Sequence, residues 1–281
     1  MTETIAELYN QRFAQEMDAE PEAAAAAENE VVRTILSHRT HRRFLPDPVP
    51  AALMETLLAC AYSAPSKSDL QQATVLRVVD EDKREAIASL IPSMPWIGSA
   101  PEFMVFCGDS RRIRGICERR GKPFANDHLD AFFNATVDAA IVMQNLIIAA
   151  EASGLGCCPI SVIRNHATRV AEILQLPEWV FPVAGLCVGY PSAKEYVSVR
   201  LPLGLTVHVD SYDQTALDRE LDGYDQRRDL RYSIPEVKQK FVDDYGIAEF
   251  YGWSEDKARQ VSRPERDDFG EFVRRQGFVL D

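Results

Sequence analysis

His38, Arg39, Thr40, His41, Arg42 and Arg43 place three guanidinium groups and two imidazoles in consecutive positions, just before Phe44. The chain around them is acidic, with a formal net charge of -12. A guanidinium binds phosphate through two parallel charge-assisted hydrogen bonds, so the stretch is a candidate site for a small anionic ligand. The acidic total and the lack of interleaved aromatics argue against nucleic acid as that ligand. The same residues also read as a solvated helix end, with cations near the C-terminal dipole. Arg39 and Arg42 stand three apart, close to one helical turn, so both are expected to face one pocket. Arg43 has the wrong phase and is expected at the surface.

No other set of residues offers an obvious reaction. The five histidines (His38, His41, His128, His166, His208) show neither HExxH nor other ligand spacing, so no metal is expected. No acid/base pair and no Ser/His/Asp set stands out. The six cysteines (Cys60, Cys107, Cys117, Cys157, Cys158, Cys187) show no CxxC pair and sit mostly in apolar company. Cys157 and Cys158 could be redox-active, but buried structural thiols are the better reading. Reduced thiols point to the cytoplasm. No run of about 18 uncharged apolar residues suggests a membrane span, and the acidic N-terminus does not resemble a signal peptide.

The elements that must hold such a site can be read along the chain. With 281 residues there is room for one or two domains. Residues 1–37 read as helical, through "TIAELYNQRFAQEM" and the alanine-rich "PEAAAAAENEVVRTILSH". "PVPAALMETLLACAYSA" is a helix opened by proline and closed before Pro65. "ATVLRVVD" and "APEFMVFCGD" are strands, the second buried on both faces. "DKREAIASLI" is a short amphipathic helix. Residues 129–156 form the longest element, a helix apolar nearly all round and stopped at Gly154. "CCPISVI" is extended, "NHATRVAEILQL" helical up to Pro177, and "FPVAGLCVGYP" a buried strand. The C-terminal section is charged and shows little apolar periodicity. No GxGxxG follows a strand, so the chain is not a Rossmann unit. The expected class is α+β, with helices around a central sheet.

Taken in order, four motifs resemble the FMN-dependent nitroreductase family. They are Arg39 to Phe44, Ala64-Pro65-Ser66 with Gln71, Gly154-Leu155-Gly156, and Leu186 to Pro191. Val162 to Asn165, Arg200-Leu201-Pro202, Ser262-Arg263-Pro264 and Gly277-Phe278 extend the likeness to the larger, NADPH-preferring branch of oxygen-insensitive nitroreductases and flavin reductases. The resemblance implies a mostly antiparallel sheet flanked by helices, in a homodimer with the long helix at its interface. That helix alone would also suit a purely intramolecular core. The implied division is an N-terminal helical extension (1–30), an FMN-binding core (31–205) and a polar C-terminal extension (206–281) that binds NADPH and wraps the partner.

The resemblance also assigns roles. Arg39 would hold the FMN phosphate, with His38 and Thr40 adding donors, and Arg200 would be a second phosphate arginine. Arg42 would lie by the pyrimidine end of the ring, where a cation favours the anionic reduced flavin. Pro65, Ser66 and Lys67 would contact ribityl and phosphate, and Gln71 the ring's polar edge, although as bare residues they are simply a turn. Backbone at Pro159, Ile160 and Ser161 would pack on the isoalloxazine face. Arg227 and Arg228, with Arg231 as a further candidate, would hold the NADPH 2'-phosphate, though that stretch also reads as a solvated loop. The branch's lysine is replaced by Ser198, a loss of about 1 to 3 kcal/mol of phosphate binding unless another cation such as Lys194 substitutes. Its tyrosine and glycines at the ring are replaced by Pro159 to Val162. The implied activity is hydride transfer from NADPH or NADH to nitroaromatic, quinone or flavin acceptors by a ping-pong cycle. A non-catalytic flavin-binding or sensing protein on the same fold is the alternative.

Overall fold

The computed structural model describes residues 3–17 and 28–281. The alanine run at 23–27, expected to be helical, lies outside the described residues. In chain order the helices of seven or more residues are α1 (Ile5–Phe13), α2 (Glu30–Ser37), α3 (Ala51–Tyr62), α4 (Glu81–Leu90), α5 (Arg111–Arg119), α6 (Leu129–Ala152), α7 (Ala167–Leu174), α8 (Leu217–Arg231), α9 (Trp253–Val261) and α10 (Phe269–Arg275). The strands are β1 (Ala73–Arg77), β2 (Glu102–Asp109), β3 (Gly156–Ile160) and β4 (Val180–Gly189). The chain forms two compact units, residues 1–38 with 196–265, and residues 39–195 with 266–281. These groupings cut the chain at other places than 30 and 205.

The larger unit holds one sheet, in the order β1-β2-β4-β3, with every neighbouring pair antiparallel. β2 is central and, after Glu102, buried along its whole length. Its side chains alternate between two faces, as the strand period requires. Met104 and Phe106 enter one core with Met54 and Leu57 of α3 and Ala139 and Leu146 of α6. Phe103, Val105 and Cys107 enter a second core with Ile87 of α4 and Val170 and Leu174 of α7. Helices cover both faces, so the strand is continuously apolar although the sheet is antiparallel.

α6 buries one stripe rather than its whole circumference. Ala131, Ala135, Asp138, Ala139, Val142, Leu146 and Ala150 repeat at helical spacing and are buried. Leu129, Phe133 and Val137 lie on another face and are exposed. By length and composition α6 would suffice to cross a membrane, but it packs on α3 and β2 as a core helix. It ends as expected at Gly154, which has φ 78°. The Leu155 N–H donates to Ala150 O and the Gly154 N–H to Glu151 O, the paired bonds that close a helix over a left-handed glycine.

Two local expectations need correction. α1 stops at Phe13 instead of running to Met17, because Ala14 turns left-handed with φ 52°. The extended segment at 157–163 ends at Ile160, and Ser161–His166 forms a 3-10 helix. The polar C-terminal section, with its little apolar periodicity, contains α8, α9 and α10. α8 buries only Tyr224 and Asp225, so its contacts leave little periodic trace. Tyr224 donates its hydroxyl hydrogen to Val199 O at 3.1 Å and meets Trp253 edge-on at 5.4 Å. Asp225 accepts from the Ser254 N–H at the start of α9.

In the same smaller unit, Arg12 is 6% exposed. Its guanidinium donates to Leu36 O, Ser198 O and His38 O. A buried arginine saturated by carbonyls ties three distant stretches of chain together, at the cost of desolvating a charge.

Candidate functional site

Residues 39–44 form an extended arm, not a helical turn. Thr40 bridges to Cys157 of β3 in parallel fashion, and Phe44 bridges to Pro191. The His41 N–H donates to Cys157 O at 2.8 Å. The helical-phase reason for pairing Arg39 with Arg42 therefore fails, and their positions come from the pairing with β3. Arg39 donates to Glu195 O at 3.2 Å. Arg43 is exposed, as expected, and pairs with the Glu195 carboxylate at 2.9 Å. The Arg42 guanidinium is exposed and stands 5.8 Å from the Trp96 ring centroid. It makes no hydrogen bond or ion pair among the described residues.

His41 lies buried inside this basic arm, and its Nδ1 has no hydrogen-bond partner. Burial first, and the Arg39 cation second, hold the imidazole below its usual pKa. The ring is thus kept neutral between two arginines.

The second cluster is the turn after α3. Ser66 Oγ accepts from the Gln71 N–H at 3.0 Å, and the Gln71 side-chain amide donates to Asp69 at 3.0 Å. Ser68, Asp69 and Gln71 have φ values of 50°, 57° and 52°, in the left-handed region. Pro65, Lys67 and Gln71 are exposed, and the Lys67 ammonium has no ion pair among the described residues. The turn is fixed from below by Asp138 of α6, which accepts the main-chain N–H groups of Lys67 and Gln72. The sequence reading passed over Asp138. Its signal was an acid in the apolar middle of a helix.

β3 is an edge strand, and Pro159 is its only exposed residue. A proline suits this edge because it has no N–H to leave unpaired. Ile160 puts its side chain into the second core, so only its main chain can meet a ligand. Ser161 is exposed at the start of the 3-10 helix.

The remaining expected residues fall in the smaller unit. His38 closes α2, and its carbonyl is taken by Arg12. Arg200 and Arg228 line one cavity of about 480 Å³ with Ser198, Tyr224 and Trp253. Arg227 does not line it. Its Nη1 lies over Gly223, one turn back on its own helix, where a Cβ would come within 3.0 Å. Arg231 is spent on the carbonyls of Asn10 and Gln11, a structural tie to α1. Ser198 accepts from the Arg12 guanidinium at its carbonyl and itself brings no cation to that position. Lys194, in the larger unit, is exposed and has no ion pair among the described residues.

All six cysteines are free. Burial pushes the thiols of Cys107, Cys157, Cys158 and Cys187 up, which makes them poor nucleophiles. Among the described residues, no group of three or more His, Cys, Asp or Glu side chains is placed to hold a metal.

An antiparallel sheet covered by helices, with a basic arm on its edge strand, defines an α+β protein. Residues 35–190 match the nitroreductase family and residues 198–281 the nitroreductase family C-terminal domain, and the chain belongs to that family. It is 30% identical over 256 residues to an FMN reductase [NAD(P)H] of Bacillus subtilis, covering 90% of this chain and 99% of that one. It is 32% identical over 248 residues to an oxygen-insensitive NADPH nitroreductase of Salmonella typhimurium, covering 88% and 98%. The structure of an NADPH:FMN oxidoreductase from Vibrio harveyi, complexed with NAD+, superposes with a TM-score of 0.77 at 30% identity, covering 89% and 98%.

Proposed function

We propose that this chain is an NAD(P)H-dependent FMN oxidoreductase that reduces nitroaromatic, quinone or flavin acceptors. The observation that carries this reading is the pairing of the basic arm with β3, which sets Arg39 and Arg42 beside the strand whose one outward residue is Pro159. The donor set suits the cofactor. It offers guanidinium groups and the Lys67 ammonium for a phosphate dianion, and an uncharged strand edge for an apolar ring. FMN, when held by these residues, would supply two-electron hydride chemistry suited to a ping-pong cycle.

The chain's own residues then bind and orient. Arg39 and Thr40 are assigned to the phosphate, and Ser66, Lys67 and Pro65 to the ribityl chain and phosphate. Gln71 is assigned to the ring's polar edge, and the main chain at Pro159, Ile160 and Ser161 to its face. Arg42, with no carboxylate partner among the described residues, is assigned the place where the reduced ring gains negative charge. In the smaller unit, Arg200 and Arg228 share a cavity that suits the phosphates of a nucleotide. We assign Arg228 to the NADPH phosphate and set Arg227 behind it. Lys194 is the nearest substitute in sequence for the lysine replaced by Ser198.

The exposed apolar face of α6 supports a homodimer, and six free cysteines support a cytoplasmic location. A non-catalytic flavin-binding protein is disfavoured, because the relatives that match along nearly their whole length carry reductase names.

The test is a visible absorption spectrum of purified protein, followed by anaerobic NADPH. A flavin spectrum that bleaches is the expected result. Bound flavin that stays oxidised with both NADPH and NADH would favour the sensing protein. No flavin, even after FMN is added, would defeat both readings.

A further inference from the structure

We propose that Asp138 is the positioning residue for the Pro65–Gln71 turn, and thereby sets the affinity for flavin. The inference rests on the flavin reading above. Asp138 is 1% exposed, on the buried stripe of α6 between Ala135 and Ala139. Burying a carboxylate is costly unless its lone pairs are satisfied. Here each oxygen takes one main-chain amide, Oδ1 from Lys67 at 3.1 Å and Oδ2 from Gln72 at 2.9 Å. No cation pairs with it among the described residues, so the turn's amides are what it serves.

These two amides bracket residues 68–71, which include all three left-handed residues of the turn. Non-glycine residues hold such conformations only where their surroundings over-determine them. Asp138 grips the turn from the core side, while Arg112 takes Gln71 O at 2.6 Å. The residue type follows from the geometry. Two amides converge on one side chain, so two acceptors are needed. Asparagine has one acceptor and would bury an NH₂ facing an N–H. Both oxygens are occupied by the turn, so Asp138 acts through Ser66, Lys67 and Gln71 rather than on the flavin.

The test compares FMN dissociation constants, read by flavin fluorescence, for wild type, Asp138→Asn and Asp138→Ala. Val142→Ala, on the same buried stripe, controls for general loosening of α6. Amide exchange at Lys67 and Gln72 is followed by NMR in flavin-free protein. Both amides are expected to exchange slowly in wild type and quickly in the Asp138 variants. FMN binding should weaken about tenfold in the Asn variant and further in the Ala variant, as expected for losing one and then both buried acceptors, with Val142→Ala near wild type. Unchanged FMN affinity in Asp138→Asn, or an equal loss in Val142→Ala, would overturn the proposal. So would fast exchange of Lys67 and Gln72 in wild type, a result that stands even if no variant folds. A wild type that binds no FMN would overturn the flavin reading and this proposal with it, and is recognisable because it fails before any substitution.

Discussion

Gly156 lies directly against the imidazole of His41: a Cβ added there would come 2.7 Å from Cγ and 2.8 Å from both Cβ and Cδ2 of His41. The first residue of β3 must therefore be small so that the basic arm can lie on the strand. Gly156→Ala should push His41 outward and shift the arm that carries Arg39 and Arg42. We expect a loss of about 1 to 3 kcal/mol in denaturant unfolding, the usual cost of overpacking. Removing the ring with His41→Ala in the same chain should recover most of it, since the two sites share one contact. Equal stability of Gly156→Ala and wild type would show that the contact is slack.

His41 also makes stability depend on pH. Its folded pKa is lowered, chiefly by burial and then by Arg39, while Glu151 and Glu195 act in the opposite direction. The unfolded chain binds the proton more readily, so stability rises with pH in this window. The contribution is present above the ordinary histidine value of 6.5 and is lost as pH falls below it. Urea midpoints at about pH 7.5 and about pH 5.5 should fall less in His41→Gln than in wild type. An identical fall in both would mean that His41 does not titrate in this range.

Much of the framework was legible in the sequence, and the reasons are physical. β2 and β4 announce themselves because both faces are covered, so no polar residue interrupts "FMVFC" or "VAGLCVG". Gly154 marks a helix end because few other residues adopt its φ. The arm at 39–44 was legible as chemistry but not as geometry. Its conformation is fixed by a bridge to Cys157, more than a hundred residues away, which local spacing cannot reveal. Asp138 escaped for the same reason, since its partners Lys67 and Gln72 lie on another element. Nothing in the sequence singles out Arg12, and Arg231 stands there only as a candidate for the NADPH 2'-phosphate. Only their carbonyl partners mark them as ties within the smaller unit.

Arg42 provides a test of electrostatic tuning at the flavin. Its guanidinium lies over the Trp96 ring, 5.8 Å from the centroid, and carries no carboxylate partner among the described residues. Arg42→Ala should make the midpoint potential of bound FMN more negative by roughly 20 to 60 mV, equivalent to about 1 to 3 kcal/mol for a two-electron couple. Arg42→Lys should lie between the two. A spectroelectrochemical titration reads this directly, and an unchanged potential would remove Arg42 from the ring.

The thiols should sort by burial. Cys60 is exposed and Cys117 partly so, whereas Cys107, Cys157, Cys158 and Cys187 are buried with raised pKa. Thiolate is the reacting form, so burial suppresses reaction twice, through access and through ionisation. Native protein treated with Ellman's reagent should lose Cys60 quickly and Cys117 slowly. The other four should react only after unfolding. Rapid native labelling of Cys157 or Cys158 would reopen a redox role for the pair.

The last prediction concerns α6. Leu129, Phe133 and Val137 recur every four residues, so they line one face of the helix. All three are exposed, Phe133 at 61%. An apolar row of this kind on a helix whose opposite face is already in the core calls for a partner. If that partner is a second copy, wild type should run as a dimer in light scattering after size exclusion. Phe133→Glu should shift it towards monomer, because an unpaired carboxylate would have to be desolvated in the interface. Asn134→Glu, half-buried and one residue on, carries the same charge off this row and should leave the dimer intact. A monomeric wild type, or a Phe133→Glu protein of full dimer mass, would assign the face to something other than self-association.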